Sequence, residues 1–230
     1  LRLGIESVIF TFSVNVNPTT EYPFFKSNYI EIYQFYHQIN NISDPIVAIE
    51  SYCGTGKTLL IPMILLCRSL KDKMKVPFVI LSQPSPKHVE SKDLFFNKKL
   101  SKYVSIISDP NKLTETIKKY DENDENSKLI LGLSSPYNLL PMLYDLRRNQ
   151  NFYQQTRFII DELSQRTIYF DVLLSKLGLL RNDFKLPLNV ILMSASFSNE
   201  VLKPFGNQVK MISLIKHPLF EIRQRAPIIE

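Results

Sequence analysis

A chain of 230 residues, of which 44% are hydrophobic and 22% are charged, is long enough to bury one substantial core. Its 6 glycines and 14 prolines, without any repeated period, exclude collagen-like, repeat and low-complexity proteins. The net charge of +6 favours an anionic partner, but a solvated surface of mixed sign explains so small a surplus equally well.

The first part of the chain predicts an irregular segment followed by a helix. It begins at Leu1 rather than at Met, so we expect a piece of a longer protein, and its first residues lack the basic start and small-residue cleavage site of a signal peptide. Polar residues around Pro18 and Pro23 predict an irregular lead-in over residues 1–22. Residues 26–41 then carry an apolar stripe near helical spacing, which predicts a helix packed on the core. The stripe consists of Tyr29, Ile32, Tyr33, Tyr36 and Ile39.

From residue 45 onward, short apolar runs rich in β-branched residues alternate with segments of helical length. This alternation predicts βαβ units and a mainly parallel sheet, and the continuous apolar runs predict helices on both of its faces. We therefore predict an α/β fold, with a solvated acidic loop at 120–128. The predicted strands are 45–50, 77–82, 103–107, 128–133, 156–161, 189–194 and 209–214.

The cysteines and the apolar runs indicate the environment of the protein. Cys53 and Cys67 have neither the spacing of metal ligands nor the framework of a secreted disulfide protein, so we predict a reducing compartment. The apolar run at 59–67 is far shorter than the roughly 20 residues that span a bilayer. We therefore expect no membrane partner.

A candidate phosphate-binding loop, ESYCGTGKT at 50–58, joins the first predicted strand to a helix predicted from Lys57 to about Leu70. It fits the pattern G-x-x-x-x-G-K-[ST] except that Ser51 stands at the first glycine. In this context backbone N–H groups bind phosphate oxygens, the lysine reaches the β- and γ-phosphates, and the threonine hydroxyl ligates Mg²⁺. The alternative is a glycine-rich turn with an incidental lysine. The predicted residues for ATP, or another NTP, are Gly54, Thr55, Gly56, Lys57 and Thr58.

An acidic pair follows the fifth predicted strand in TRFIIDELSQRT, residues 156–167. Asp161 could hold Mg²⁺ through water, and Glu162 could polarise the water that attacks the nucleotide. Together with Lys57 they form the predicted catalytic set. The alternative is an ordinary Asp-Glu pair on the surface or at the start of a helix.

The segments GTGKT, IIDELSQRT and LMSASF occur in the order and approximate spacing of a known family. They resemble the first RecA-like domain of superfamily-2 helicases, and specifically of DEAH/DExH-box RNA helicases, cellular or viral. The resemblance covers residues 23–225. It implies a RecA-like P-loop NTPase domain at 23–215 and, in KHPLFEIRQ and the residues around it (216–230), a linker towards a second RecA-like domain. It also implies an intracellular location, cytoplasmic or nuclear, or an infected cell for a viral protein.

The same resemblance implies single-stranded nucleic acid as a partner, RNA in preference to DNA, and a protein cofactor as a further class of partner. ILSQPSPKHVESKDL (80–94) and LILGLSSPYNLLPML (129–143) are similar to the family segments that hold the RNA backbone. Ordinary βα loops are the alternative for both. The RNA-binding residues implied are Gln83, Ser85, Lys87, Ser134 and Ser135.

One departure from the family concerns the coupling of the nucleotide site to the third motif. Ser164 replaces the histidine of D-E-x-H, and Gln165 replaces the glutamate that often follows. A serine is shorter and does not titrate, although its hydroxyl still donates a hydrogen bond. Arg166 is either a support of the site or a surface cation. The coupling residues that the resemblance implies are Ser164, Ser194, Ala195 and Ser196.

The leading hypothesis is an ATP-binding motor domain of an RNA helicase whose hydrolysis needs the second RecA-like domain. One rival is a degenerate, inactive helicase-like domain that serves as a scaffold or nucleotide switch. Another is a P-loop switch or kinase unrelated to nucleic acid. The degenerate domain should show no Mg-ATP affinity. The switch or kinase should bind nucleotide but show no salt-sensitive affinity for RNA.

Overall fold

The fold is seen in a computed structural model, which describes residues 34–35, 37–39, 44–51, 56–71, 76–101, 104–120, 128–146 and 149–214. The predicted lead-in and linker lie outside these ranges, as do residues 121–127 of the acidic run. Within the predicted helix at 26–41, the described residues are helical, and both Phe35 and Ile39 are buried in the core.

Seven strands form one sheet in which the pairs are parallel, in the order β3-β4-β2-β5-β6-β1-β7. All seven predicted strands are confirmed, each end within one residue. They are β1 (Ile46–Ser51), β2 (Phe78–Ser82), β3 (Val104–Ile107), β4 (Leu129–Ser134), β5 (Thr156–Ile160), β6 (Asn189–Ser194) and β7 (Lys210–Leu214).

The helices connect consecutive strands, as a parallel sheet requires. The helix predicted from Lys57 is confirmed as the first of them. They are α1 (Lys57–Lys71), α2 (Pro86–Leu100), α3 (Pro110–Lys119), α4 (Pro136–Asp145), α5 (Gln150–Gln154), α6 (Ile168–Asn182) and α7 (Asn199–Leu202), the last continued by a 3₁₀ helix at Lys203–Gln208. None of the helices in the described ranges is both long enough and apolar enough to cross a membrane.

Two hydrophobic clusters cover the two faces of the sheet. One contains buried residues of α1 and α2, such as Ile61 and Phe96, packed against strand residues such as Ile49. The other contains residues of α3 to α7, including Leu113 and Phe170, packed against strand residues such as Ile80. Side chains on both faces of the strands are therefore buried, which explains why the strands read as continuous apolar runs. The predicted α/β class with helices on both faces is confirmed.

The starts of α3, α4 and α6 are each fixed by a polar residue at the end of the preceding loop. The side chains of Asp109, Ser135 and Thr167 accept hydrogen bonds from backbone N–H groups in the first turns of α3, α4 and α6. Such caps satisfy amides that have no partner within the helix. They place the helix N-termini at the edge of the sheet where the strands end.

Gly178 of α6 lies close against the 3₁₀ helix. A Cβ added at this glycine would lie 2.4 Å from the carbonyl oxygen of Pro204 and 2.8 Å from its Cβ. Because the first of these atoms belongs to the backbone, the clash could be relieved only by moving one helix away from the other. The glycine is therefore required by packing.

We predict that Gly178→Ala lowers the free energy of unfolding by about 1–3 kcal/mol, the usual cost of overpacking a core. Without the clash, alanine would instead stabilise a helix interior by up to about 1 kcal/mol. Urea unfolding measures the difference, with Ser175→Ala at an exposed position of the same helix as the control. A Gly178→Ala protein as stable as the unsubstituted one would contradict the packing described here.

Candidate active site

The predicted site residues converge at one edge of the sheet, where parallel strands end. In α/β sheets this carboxyl edge is the usual place for ligands. β1 ends at Ser51, directly before the predicted phosphate-binding residues in the chain, the acidic pair follows β5, and the serine segment begins at the end of β6. The two predicted nucleic-acid segments follow β2 and β4, which are neighbours in the sheet.

The phosphate-loop residues are described from Gly56 onward, and the predicted Gly54 and Thr55 lie outside the described residues. Gly56 has a φ of 83°, a left-handed conformation that glycine adopts without steric cost. Its carbonyl oxygen accepts the N–H groups of Leu59 and Leu60 at 3.0 and 2.8 Å. Gly56 therefore turns the chain from the loop directly into α1.

Lys57, the first residue of α1, is nearly buried, with 4% of its surface exposed. Its Nζ donates a hydrogen bond to the backbone carbonyl of Ser51 at 3.0 Å. The residue at the position of the missing glycine thus holds the lysine through a backbone atom, which any residue type provides. A buried ammonium group at a helix N-terminus gives this loop two sources of positive charge.

Asp161, directly after β5, is fully buried and held from two sides. Its Oδ2 accepts the side-chain amide of Gln83 at 2.9 Å, and its Oδ1 accepts the backbone N–H of Glu162 at 2.9 Å. Each carboxylate oxygen can accept more than one hydrogen bond, so both retain capacity for water. The arrangement fixes the direction of the carboxylate.

Glu162 is partly buried and has a φ of 59°. The left-handed region is uncommon for residues other than glycine, and it concentrates at functional sites. Because this φ differs from that of an extended strand, the Glu162 side chain does not continue the alternating side-chain directions of β5. Leu163 then donates its N–H to the carbonyl of Met193 in β6, at 3.2 Å, which ties the acidic segment to the neighbouring strand.

The residues predicted to bind RNA divide into two groups. Gln83, Ser134 and Ser135 are buried, with exposures of 1%, 4% and 3%, and the amide of Gln83 is directed at Asp161 rather than at solvent. Ser85 is partly buried and contacts the ring of His88, whereas Lys87 is exposed at the start of α2. Of the predicted RNA-binding side chains, those of Ser85 and Lys87 are therefore the ones that solvent can reach.

The serine segment after β6 contacts the strand that leads into the phosphate loop. The hydroxyl of buried Ser194 accepts the N–H of Ser196 at 3.3 Å, beside Ala195. The carboxylate of Glu50, one residue before Ser51, accepts the N–H of Phe197 at 3.2 Å. Glu50 was not predicted to belong to the site. A carboxylate at the end of an otherwise apolar strand is the signal that could have identified it.

The remaining predicted residues of the acidic segment lie on the surface. Ser164 is exposed, as is Arg166, whose guanidinium forms ion pairs at 2.9 Å with Asp171 in α6 and Glu200 in α7. The hydrogen bond from Arg166 lowers the pKa of the Glu200 carboxyl below its usual value. These contacts favour the interpretation of Arg166 as a surface cation that joins two helices.

The few oxygen ligands that the protein offers here suit a cation that is bound mainly by waters and phosphates. In the described part of the chain, no group of three or more His, Cys, Asp or Glu side chains is arranged to hold a metal ion. Mg²⁺ is commonly bound by one or two protein oxygens together with waters and phosphates. The carboxylate of Asp161 and the hydroxyl of Thr58 would be the protein oxygens in such a site.

Comparisons with known proteins identify the fold. No protein-family model and no curated protein matches the sequence. Among solved structures, the DEAD-box helicase Mss116 bound to ssRNA and UDP-BeF superposes with a TM-score of 0.56 and 17% identity, over 81% of this chain and 40% of that one. The DUF1998 helicase MrfA bound to DNA gives 0.53 and 13%, over 80% and 27%, and MrfA alone gives 0.56 and 13%, over 93% and 33%.

At these identities the likeness shows the fold alone, a seven-stranded parallel α/β sheet that matches the RecA-like domains of helicases. The chain spans between about a quarter and two fifths of the length of these helicases. The neighbours include both a DEAD-box and a DUF1998 protein, and both the superfamily-2 and the DEAH/DExH assignments stay predictions.

Proposed function

We propose that this chain is the ATP-binding motor domain of a nucleic-acid helicase that acts on single-stranded RNA. The observation that carries the proposal is the joint placement of buried Lys57, at the N-terminus of α1, and buried Asp161 with Glu162, at the end of β5, on one edge of the sheet. Only β6 separates β5 from β1. The fold is shared with a helicase whose structure contains ssRNA and UDP-BeF.

Lys57 would bind the β- and γ-phosphates of ATP. Its ammonium group now donates to the carbonyl of Ser51, a neutral acceptor. A phosphate oxygen would replace or join that acceptor, and the hydrogen bond would then also gain the attraction between a positive and a negative charge. The positive end of the α1 helix dipole would add its attraction for anions.

Asp161, Glu162 and Thr58 would serve the phosphoryl-transfer step. Bound Mg²⁺ would neutralise charge on the β- and γ-phosphates. Asp161 would hold it through water, and Thr58 would offer its hydroxyl. Glu162 would accept a hydrogen bond from the attacking water and orient it towards the γ-phosphate.

The second RecA-like domain is part of this proposal. In the family that the sequence resembles, hydrolysis occurs between two such domains, and the second supplies arginine fingers. Residues 216–230 would lead to that domain from a motor domain at 23–215. Isolated residues 1–230 would then bind nucleotide weakly and hydrolyse it slowly, because part of the transition-state charge would lack a partner.

Nucleic acid would cross the carboxyl edge at the loops after β2 and β4. Lys87 is exposed in the first turn of α2, where its charge adds to that of the helix N-terminus. The first turn of α4, capped by Ser135, offers a second helix N-terminus. The buried serines would contribute by shaping this backbone rather than by exposing their hydroxyls.

The proposal predicts that Lys87→Ala weakens binding of single-stranded RNA in a salt-dependent way. Loss of one phosphate contact should lower the slope of log affinity against log salt by about 0.7. Fluorescence anisotropy with a labelled RNA measures this slope. Lys119→Ala removes an equal charge from the last turn of α3, near the opposite edge of the sheet, and is the control. Equal slopes in both variants would contradict the proposed path of the RNA.

ATP hydrolysis by the longest native form of the protein, measured with and without single-stranded RNA, tests the function as a whole. We expect a basal rate that RNA increases. Mg-ATP binding without any RNA affinity would instead favour a nucleotide switch. Absence of both activities in a folded protein would favour a degenerate domain that binds other proteins.

A further inference from the structure

Gln83 connects three neighbouring strand ends. It directly follows β2, and its backbone N–H donates to the carbonyl of Ser134, the last residue of β4, at 2.8 Å. Its side-chain amide donates to Oδ2 of Asp161, directly after β5, at 2.9 Å. β4, β2 and β5 are adjacent in the sheet in this order. Gln83, a buried residue of the first proposed RNA-binding segment, therefore contacts both the second segment and the proposed metal-binding carboxylate.

The contacts of Gln83 leave it little freedom. The side chain is 1% exposed, and Pro84 follows it, which restricts the backbone of Gln83 to extended conformations. Pro84 and Ser85 lead directly into α2, and Lys87 lies in its first turn. A displacement of this loop by a ligand would therefore move the amide that holds Asp161.

Asp161 is sensitive to such a displacement. The Gln83 amide fixes Oδ2, while the N–H of Glu162 fixes Oδ1. If the amide moves, the buried carboxylate must rotate or lose a hydrogen bond, and a buried acceptor without a partner destabilises the state that contains it. A shift in the loop after β2 would thus change the free energy of binding at the nucleotide site.

We infer that Gln83 is a positioning residue that couples occupancy of the RNA-binding segments to Mg-nucleotide binding at Asp161. The inference rests on the proposed function. It assigns the coupling to the buried amide of Gln83. Ser164, which stands where the helicases that the sequence resembles have a histidine, is exposed and does not take this role. It also gives Gln83 an indirect role in RNA binding in place of a direct contact.

The test is the coupling between two binding equilibria in the longest native form of the protein. The dissociation constant of Mg-ATP is measured by titration calorimetry without RNA and with saturating single-stranded RNA, and the ratio of the two is the coupling factor. Coupling factors of about 5–150 are typical of linked sites, and the same factor must appear in RNA affinity when ATP is varied.

Two substitutions and one control are compared. Gln83→Met keeps the length of the side chain without the amide, and Gln83→Asn keeps an amide too short to reach Asp161. Gln165→Met, at an exposed position of the same edge, is the control. We expect both Gln83 variants to reduce the coupling factor to within about twofold of 1, while RNA affinity without nucleotide changes less than about threefold. If Gln83→Met lowers the unfolding temperature, the coupling factor is judged from Gln83→Asn, whose side chain is smaller and does not crowd the core.

The outcomes separate this inference from the function on which it rests. An unchanged coupling factor in a folded Gln83 variant would overturn the role of Gln83 and leave the motor domain standing. A large loss of RNA affinity without nucleotide would also overturn it, since that result would show a direct contact. If the unsubstituted protein binds no Mg-ATP, the proposed function itself fails and the inference fails with it.

Discussion

Glu162→Gln is expected to reduce RNA-stimulated ATP hydrolysis by about 10²–10⁴-fold, the usual contribution of a general base. The amide has nearly the same size as the carboxylate and can still accept a hydrogen bond from water. It cannot accept a proton, however, and it carries no charge to polarise the water. The chemical step should therefore fail while the geometry of the site is preserved.

Binding should distinguish this loss from a collapse of the site. Because Glu162 is not predicted to touch the nucleotide, Mg-ATP affinity in the Glu162→Gln protein should stay within about threefold of the original, far less than the effect on rate. Single-turnover hydrolysis and equilibrium titration measure the two quantities separately. Glu90→Gln, at an exposed position of α2, is the matched control. A Glu162→Gln protein that hydrolyses ATP at the normal rate would exclude Glu162 as the base.

Lys57→Ala is expected to weaken Mg-ATP binding by at least about thirtyfold. Removing one partner from a buried, hydrogen-bonded charge pair costs about 2–5 kcal/mol, and 1.4 kcal/mol corresponds to a tenfold change in affinity. Lys57 is 4% exposed and already directed at the carbonyl of Ser51, so little rearrangement would precede its contact with phosphate. Titration with Mg-ATP, with thermal unfolding as a check of folding, measures the effect.

Ser51→Gly provides the comparison within the same loop. Ser51 holds the lysine through its carbonyl, so restoring the glycine of the usual pattern should change Mg-ATP affinity by less than about threefold. Equal ATP affinity in Lys57→Ala and the unsubstituted protein would show that this loop does not hold the nucleotide. The degenerate-domain hypothesis would then take precedence.

The strands and the start of α1 at Lys57 could be predicted because the signals that define them are local. A buried parallel strand is a continuous apolar run, and a glycine followed by Lys57 at the start of a helix is a short pattern. The order of the strands is not local. That β2 lies between β4 and β5 depends on how the connecting helices pack, and no spacing in the sequence records it.

The contacts within the site show the same division. Asp161 was predicted from its place after an apolar strand, but its partner Gln83 lies 78 residues earlier. Glu50 and Phe197 are 147 residues apart. Resemblance to a family placed Gln83 near RNA, whereas its burial and its amide hydrogen bond were visible only once the strand order was known. Sequence patterns located the elements of the site, and tertiary structure determined which of them touch.

The backbone at Glu162 has a consequence for how this protein responds to selection. Glycine or asparagine would occupy a φ of 59° more readily than glutamate, with a gain in stability of about 1 kcal/mol. A screen that rewards heat resistance alone should therefore enrich variants that have lost the carboxylate. In a second screen, growth would also depend on the protein. If glutamate persists at position 162 in that screen, activity outweighs thermal stability at this position.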